Sequence, residues 1–161
     1  MDFIWSPWRY AYIASAAPQT NAERCVFCIG EDRSRDPDRL VVYRGTHNFI
    51  ILNLFPYTAG HLMVAPYAHL GEITEASSEQ TAEMMDLAKR AISRLTSLYH
   101  PEGFNLGINL GHSAGAGVRE HFHLHIVPRW IGDSNFMSIT AETRVLPEEL
   151  TTTYRRLREV L

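Results

Sequence analysis

Apolar and polar positions along this chain change period several times, and each change marks an element. Residues 39–43 ("RLVVY") and 48–54 ("NFIILNL") are short apolar runs separated by a turn at Gly45, and a third run, 61–66 ("HLMVAP"), follows the turn residues of "FPYTAG". Runs of this length bounded by turn signals read as strands, and their close spacing suits antiparallel hairpins or a meander. The period then lengthens. Over residues 77–99, Met84, Leu87, Ala88, Ala91, Ile92, Leu95 and Leu98 recur at three- and four-residue spacing, the buried stripe of one long helix. Ser77 followed by Gln80 has the form of a capping box, and Pro101 requires the helix to stop before it. Two further strands, 104–109 and 121–128, flank a glycine-bearing loop, and 146–161 reads as a shorter helix with a proline near its start. The order predicts an α+β fold: an antiparallel sheet of about five strands with one long helix and one shorter C-terminal helix.

Composition narrows the class. At 161 residues the chain is long enough for one domain with its own core, and 45% hydrophobic against 20% charged residues is ordinary for a globular protein. A net charge of −3 without a long basic run argues against duplex DNA or RNA as the main partner but leaves single nucleotides open. The N-terminal "MDFIWSPWRYAYIAS" is aromatic yet lacks the basic start and continuous apolar core of a secretory signal, and no stretch approaches the roughly 20 apolar residues of a membrane span. The only cysteines, Cys25 and Cys28, do not make a secreted disulfide scaffold, so a cytoplasmic location is expected.

The candidate chemistry lies in "HFHLHIV", where His121, His123 and His125 occupy alternate positions. On a strand these side chains share one face while Phe122, Leu124 and Ile126 take the other, which belongs in the core. The histidine face must then meet solvent, a metal or a ligand. Rings spaced this way on a flat strand do not converge easily on one ion, whereas an uncharged imidazole can attack phosphorus covalently. The preceding "GHSAGAG" contributes Gly111, Gly115 and Gly117, residues that let backbone N–H groups approach an anion. These glycines do not lie between a first strand and a first helix, which counts against a Rossmann nucleotide fold. Cys25 and Cys28 have zinc-knuckle spacing but supply only half of a tetrahedral site; a reduced pair or a redox dithiol is the competing reading.

The "HFHLHIV" run resembles the H-φ-H-φ-H-φ-φ signature (φ apolar) of the histidine triad (HIT) superfamily of nucleotide hydrolases and transferases. "CVFC", "ILNLFPYTAGHLMVAPYAH" and "INLGHSAGAG" are similar to further family segments in the same order, and "WSPWR" with the run 128–137 resembles a bacterial subgroup close to diadenosine tetraphosphate hydrolases and phosphorylases. The resemblance covers roughly residues 20–137. It implies a single HIT-like domain over 1–161, with 1–20 an aromatic extension and 138–161 a C-terminal tail and helix. It implies His123 as the nucleophile, His125 as a donor to the phosphate or leaving group, and the His121 carbonyl as the group that sets the tautomer of His123. Asn53 would contact ribose, although a strand-end cap is its plainer reading; Ile51 would line the base pocket, Asn109 would contact the phosphate or the sugar beside the phosphate-loop glycines Gly115 and Gly117, and His61 would support the triad. The family's metal positions correspond to Cys25, Cys28, His69 and His121, implying a structural Zn²⁺ and no organic cofactor.

The loop departs from the family pattern, reading "AGAGVRE" where "GQS" or "GQT" is common, which leaves the general acid open among His112, Ser113, His125 and water. The expected function is transfer or hydrolysis at the α-phosphate of an adenine nucleotide derivative through a nucleotidyl-histidine. Diadenosine polyphosphates are favoured over an adenosine phosphoramidate, and the acceptor is either water or phosphate. The rivals are a nucleotide-binding regulatory module with little turnover and a zinc-dependent hydrolase. The resemblance also implies a homodimer with a sheet continued across subunits. His47 and His100 read as surface residues.

Overall fold

The apolar runs pair as strands in the computed structural model, which describes residues 25–133 and 148–161. Strands β1 (Val41–Arg44), β2 (Asn48–Leu52) and β3 (Leu62–Pro66) form the expected antiparallel meander. Strand β5 (Leu124–Arg129) inserts beside β3, and β4 (Gly103–Ile108) pairs with its other side, so the order is β1-β2-β3-β5-β4 with every pair antiparallel. Helix α1 (Ser78–Tyr99) begins with the predicted Ser77–Gln80 capping box and ends at His100 in a left-handed conformation, before Pro101. Helix α2 is Leu150–Val160. The expectations for the aromatic N-terminus, for Pro147 at the start of the last helix and for the end of the 128–137 run fall outside the described residues.

Two boundaries differ from the sequence reading. β1 begins after Leu40, because Asp36–Arg39 within the charged turn region forms a helical turn closed by Leu40 at a φ of 61°. The ladder of β5 begins at Leu124, not at His121. Continued outward, the β3–β5 register would set Phe122 against Pro66, which has no N–H to donate, and Phe122 N–H bonds instead to the Leu70 carbonyl at 2.7 Å.

β2 and β3 are buried along their whole length on both faces. On one side Ile50, Leu52, Leu62 and Val64 pack with Phe122, Leu124 and Ile126 against the α1 stripe of Met84, Leu87, Ala88, Ala91 and Leu95 and against Leu157 of α2. On the other side Phe49, Ile51, Met63 and Ala65 pack against Cys25, Phe27 and Ile29. Burial on both faces explains why these strands read as continuous apolar runs and not as alternation. The covering segment 25–30 is tied down by Arg44, whose guanidinium pairs with Asp36 at 2.7 Å and donates to the Gly30 carbonyl at 2.7 Å. The outer edge of β1 is closed by α2, since Tyr154 Oη and Arg158 Nη1 donate to the Val41 and Val42 carbonyls. Among the described residues no helix is long and apolar enough to cross a membrane.

The β1–β2 turn is held by one carboxylate. Glu83 of α1 accepts from the backbone N–H of Thr46, His47 and Asn48 at 2.6–2.8 Å and from the Asn48 side chain at 2.9 Å. Gly45 makes room for it, because a Cβ there would sit 2.9 Å from Glu83 Oε1 and from the Asn48 carbonyl. Burial by itself would raise the Glu83 pKa, but the four donors outweigh it and hold the carboxyl below the usual carboxylate range. Because the folded pKa is depressed, the stabilisation is present above the unfolded-state value and is lost as pH falls through the folded one. Glu83→Gln is expected to cost about 1–3 kcal/mol at pH 7, with the difference from wild type closing below about pH 4. Urea unfolding across that range measures it.

Candidate active site and metal centre

The two-residue period of the strands places the candidate residues on one face. Ile51 and Asn53 at the end of β2, His61 and Met63 at the start of β3, and His125 on β5 share the side opposite the helices; Met63 and His125 are direct cross-strand partners. His121 and His123 continue that face, while Phe122, Leu124 and Ile126 sit in the helix-side core as the alternation predicts. The histidine face is not solvated. His121 is fully buried and His123 is 6% exposed, with the Phe27 ring 5.4 Å and 4.5 Å from their respective ring centres. Burial pushes both imidazoles down to about 4, more strongly than their hydrogen bonds to the Pro66 and His121 carbonyls raise them. Both rings are therefore uncharged at neutral pH.

Cys25, Cys28, His69 and His121 are brought together, with one ligand atom of each within 4.8 Å of all the others. Cys28 Sγ lies 3.3 Å from His69 Nδ1 and 3.8 Å from His121 Nδ1, and Cys25 Sγ lies 3.6 Å from His121 Nδ1. A tetrahedral zinc with ordinary Zn–S and Zn–N bonds sets sulfur and nitrogen ligands about 3.5 Å apart, so the spacing fits. The protonation pattern fits as well. His121 Nε2 donates to the Pro66 carbonyl at 2.8 Å, which leaves the Nδ1 lone pair facing the thiols. Burial, with Cys25 alongside, pushes the Cys28 thiol up to about 11, so a bound cation is what would let that thiol ionise at neutral pH.

Beyond His121 the arrangement changes character. The His121 carbonyl accepts from His123 Nδ1 at 3.0 Å, which puts the His123 lone pair on Nε2. The His125 ring stands edge-on to His123 with centres 4.7 Å apart, and its Nδ1 lies 3.0 Å from Nε2 of the fully buried His61. Asn53 does act as a strand-end cap, its Oδ1 accepting from Phe55 N–H, while its amide nitrogen lies 3.3 Å from His61 Nδ1 and 3.4 Å from His61 Nε2. Ile51 is buried in the cluster beneath Phe27. The loop after β4 begins at half-buried Asn109, one residue beyond Ile108, the last β4 residue paired with β5. Gly111 and Gly115 turn the loop at φ of 72° and 79°, whereas Gly117 is exposed and takes no left-handed conformation. Val118, at its end, packs on the cluster that contains Phe27. His112 and Ser113 are exposed, as are His47 and His100.

Three residues of the site escaped the sequence reading. Phe27 covers the His123 ring, and its place between the two cysteines was the available signal. Tyr57 donates its backbone N–H to His61 Nδ1 at 3.1 Å and packs its ring 4.6 Å from that imidazole. Pro66 ends a ladder and supplies the carbonyl that orients His121.

Fold and site together define an α+β protein that carries, on one buried sheet face, a Cys₂His₂ cluster beside a row of imidazoles. The chain belongs to the HIT family: the HIT domain model matches residues 34–130. It is 39% identical over 158 residues to an AP-4-A phosphorylase of Mycobacterium tuberculosis, covering 96% of this chain and 81% of that one. It also resembles the crystal structure of a Zn-bound histidine triad family protein from Mycobacterium smegmatis, with TM-score 0.67, 28% identity and coverage of 87% of this chain and 94% of the other. The fold is shared with Plasmodium falciparum diadenosine triphosphate hydrolase in complex with Cyclomarin A, at TM-score 0.64, 19% identity and coverage of 94% and 93%.

Phe27→Ala is expected to cost about 3–5 kcal/mol, the usual penalty for a buried aromatic, because it empties the space between the second core and the His123 ring. Chemical denaturation of the variant measures the loss.

Proposed function

We propose that this chain is a nucleotidyltransferase that attacks the α-phosphate of a diadenosine polyphosphate and forms a nucleotidyl-histidine on His123. The observation that carries the reading is the His123 Nδ1 contact to the His121 carbonyl, which leaves Nε2 as a lone pair on an uncharged ring. His125 stands beside it to stabilise charge on the phosphate oxygens or the leaving group, and His61 holds His125. In this reading Asn53 and Ile51 bind the nucleoside, and Asn109 with Gly115 and Gly117 receives the phosphate. The similarity to a protein named AP-4-A phosphorylase weighs toward inorganic phosphate as the acceptor. Incubated with diadenosine tetraphosphate, the protein is expected to release ADP and ATP only when phosphate is present. Chromatography showing AMP and ATP in either buffer would make it a hydrolase instead. His123→Gly should abolish turnover while nucleotide binding, read by calorimetry, survives; loss of both would make the residue structural.

The same reading gives Cys25, Cys28, His69 and His121 to a structural zinc ion. When bound, the ion would hold the segment 25–30 against the residues that carry the nucleophile, and it takes no part at phosphorus. One zinc per chain is expected by elemental analysis. Chelation should lower the melting temperature in proportion to a binding energy of about 10 kcal/mol or more, and Cys28→Ser should reproduce the loss. The domain is taken to span 1–161, with 1–20 and 138–161 as extensions, and to work in the cytoplasm. It is proposed to form a homodimer through the exposed edge strand β4, whose outer positions Asn105, Leu106 and Gly107 are open.

A further inference from the structure

The turn that delivers His61 to the sheet is gripped by the end of the long helix. Gly60, the residue before His61, turns the chain at a φ of 75°, and a Cβ there would lie 2.8 Å from Leu95 Cδ2 and 3.4 Å from Tyr99 Cε2. The last turns of α1 therefore press on this backbone with no side chain between. The same turn is tied to β5, where Thr58 Oγ1 donates to the Pro128 carbonyl at 2.8 Å, and to the end of β2, where Asn53 N–H donates to the His61 carbonyl at 3.0 Å. Tyr99 is itself held from the far end of the chain. Its hydroxyl donates to Glu148 Oε2 at 2.6 Å, and the Arg156 guanidinium lies over its ring, 4.9 Å from the centre. Glu148, just before α2, also accepts from Thr153 Oγ1 at 2.8 Å and pairs with Arg156 at 2.6 Å. The Arg156 side chain is 40% exposed, so this ion pair adds little stability by itself, and what the cluster fixes is the place of the Tyr99 ring. Burial, reinforced by the bond to Glu148, pushes the Tyr99 phenol up to about 12, so it remains a donor. Burial would raise the Glu148 carboxyl, but Tyr99, Arg156 and Thr153 together hold it below the usual carboxylate range, so it remains an acceptor at neutral pH.

Packed contacts thus run from α2 through Glu148 and Tyr99 to Gly60, and on to the fully buried His61, whose Nε2 lies 3.0 Å from His125 Nδ1. We propose that Tyr99, held by Glu148, is a positioning residue of the site: it sets the Gly60 turn and thereby the places of the His61 and His125 rings. The assignment rests on the nucleotidyl-transfer reading above, in which His125 acts on the reacting phosphate. Tyr99 touches no substrate in this role. A close-packed interior passes a displacement from one side chain to the next, and a misplacement of about 1 Å at a reacting centre can cost about 10² in rate. The contacts assigned to the nucleoside lie at the end of β2, and those assigned to the phosphate lie in the loop after β4. Both are outside the Gly60 turn, so loosening the turn acts on kcat and leaves KM in place.

The test is a mutant cycle assayed on diadenosine tetraphosphate with phosphate present, at a temperature where every variant is folded by circular dichroism. Tyr99→Leu should lower kcat about 10- to 100-fold, with KM unchanged within about twofold. Tyr99→Phe, which removes only the hydroxyl, should lower kcat about two- to tenfold, the factor that one hydrogen bond accounts for. Glu148→Ala should lower it at least as far, and the two combined should lose no more than Glu148→Ala alone, because both break the same bond. Glu83→Gln, nearer the start of α1, is the control: it loses stability and keeps the wild-type kcat. Wild-type kcat in Tyr99→Leu or Tyr99→Phe, a loss carried by KM, or losses that multiply in the combined variant overturns the proposal. If Tyr99→Leu does not fold, Tyr99→Phe decides. The ring signals of His61 and His125 in heteronuclear NMR spectra read the link without turnover. They should move in Tyr99→Phe and stay in place in Glu83→Gln; unmoved signals in Tyr99→Phe overturn the assignment. If the wild-type protein turns over no adenylyl derivative, the nucleotidyl-transfer reading fails, while the spectra still decide whether Tyr99 places the two rings.

Discussion

His121 is joined to three parts of the molecule at once, and the site depends on that residue. Its Nε2 donates to the carbonyl of Pro66 at the end of β3, its Nδ1 faces the two thiols, and its own carbonyl receives the Nδ1 proton of His123. Each contact settles a question that an imidazole by itself leaves open. The Pro66 bond selects the tautomer, the tautomer leaves a ligand atom for the cysteines, and the carbonyl directs the next histidine's lone pair toward the site. Full burial keeps water from competing for any of the three.

That residue can be buried because the sheet has two cores. The helix-side core is the larger, but the short segment Cys25–Gly30 covers the opposite face with Phe27 and Ile29 and is clamped to β1 through the buried Arg44–Asp36 pair. Breaking a buried pair of this kind leaves an uncompensated charge, so removing either partner alone is strongly destabilising. One segment thus supplies thiols to His121, an aromatic cover to His123 and apolar contact to Ile51. Stability of the second core and geometry of the imidazole row are the same physical feature.

Much of this was legible in advance. The helix stripe from Met84 to Leu95 and the Ser77–Gln80 cap are local patterns, and the helix forms where they place it. The assignment of Phe122, Leu124 and Ile126 to the core follows from strand alternation, as does the common face of the three histidines. The four metal positions, drawn from a family resemblance, are brought within reach of one another in the fold. The Rossmann alternative was correctly set aside, since the sheet is antiparallel throughout. The start of β5 was misplaced because alternation persists through His121–His123 although the hydrogen-bond ladder does not. Alternation reports side-chain direction, and a ladder needs a donor on the neighbouring strand, which Pro66 lacks.

The sequence by itself determined which side chains point together, because the two-residue period of an extended chain and the 3.6-residue period of a helix are properties of the local backbone. It also determined the residue types: imidazoles, thiols and turn glycines in a workable order. Only the tertiary structure decided what those side chains meet. Phe27 lies far along the chain from His123, Tyr57 from His125, and Pro66 from His121, and no local pattern relates them. Whether a given imidazole nitrogen holds a proton or a lone pair depends on the donor or acceptor opposite it. Those partners arrive only when the strands pair and the cysteine segment closes over them.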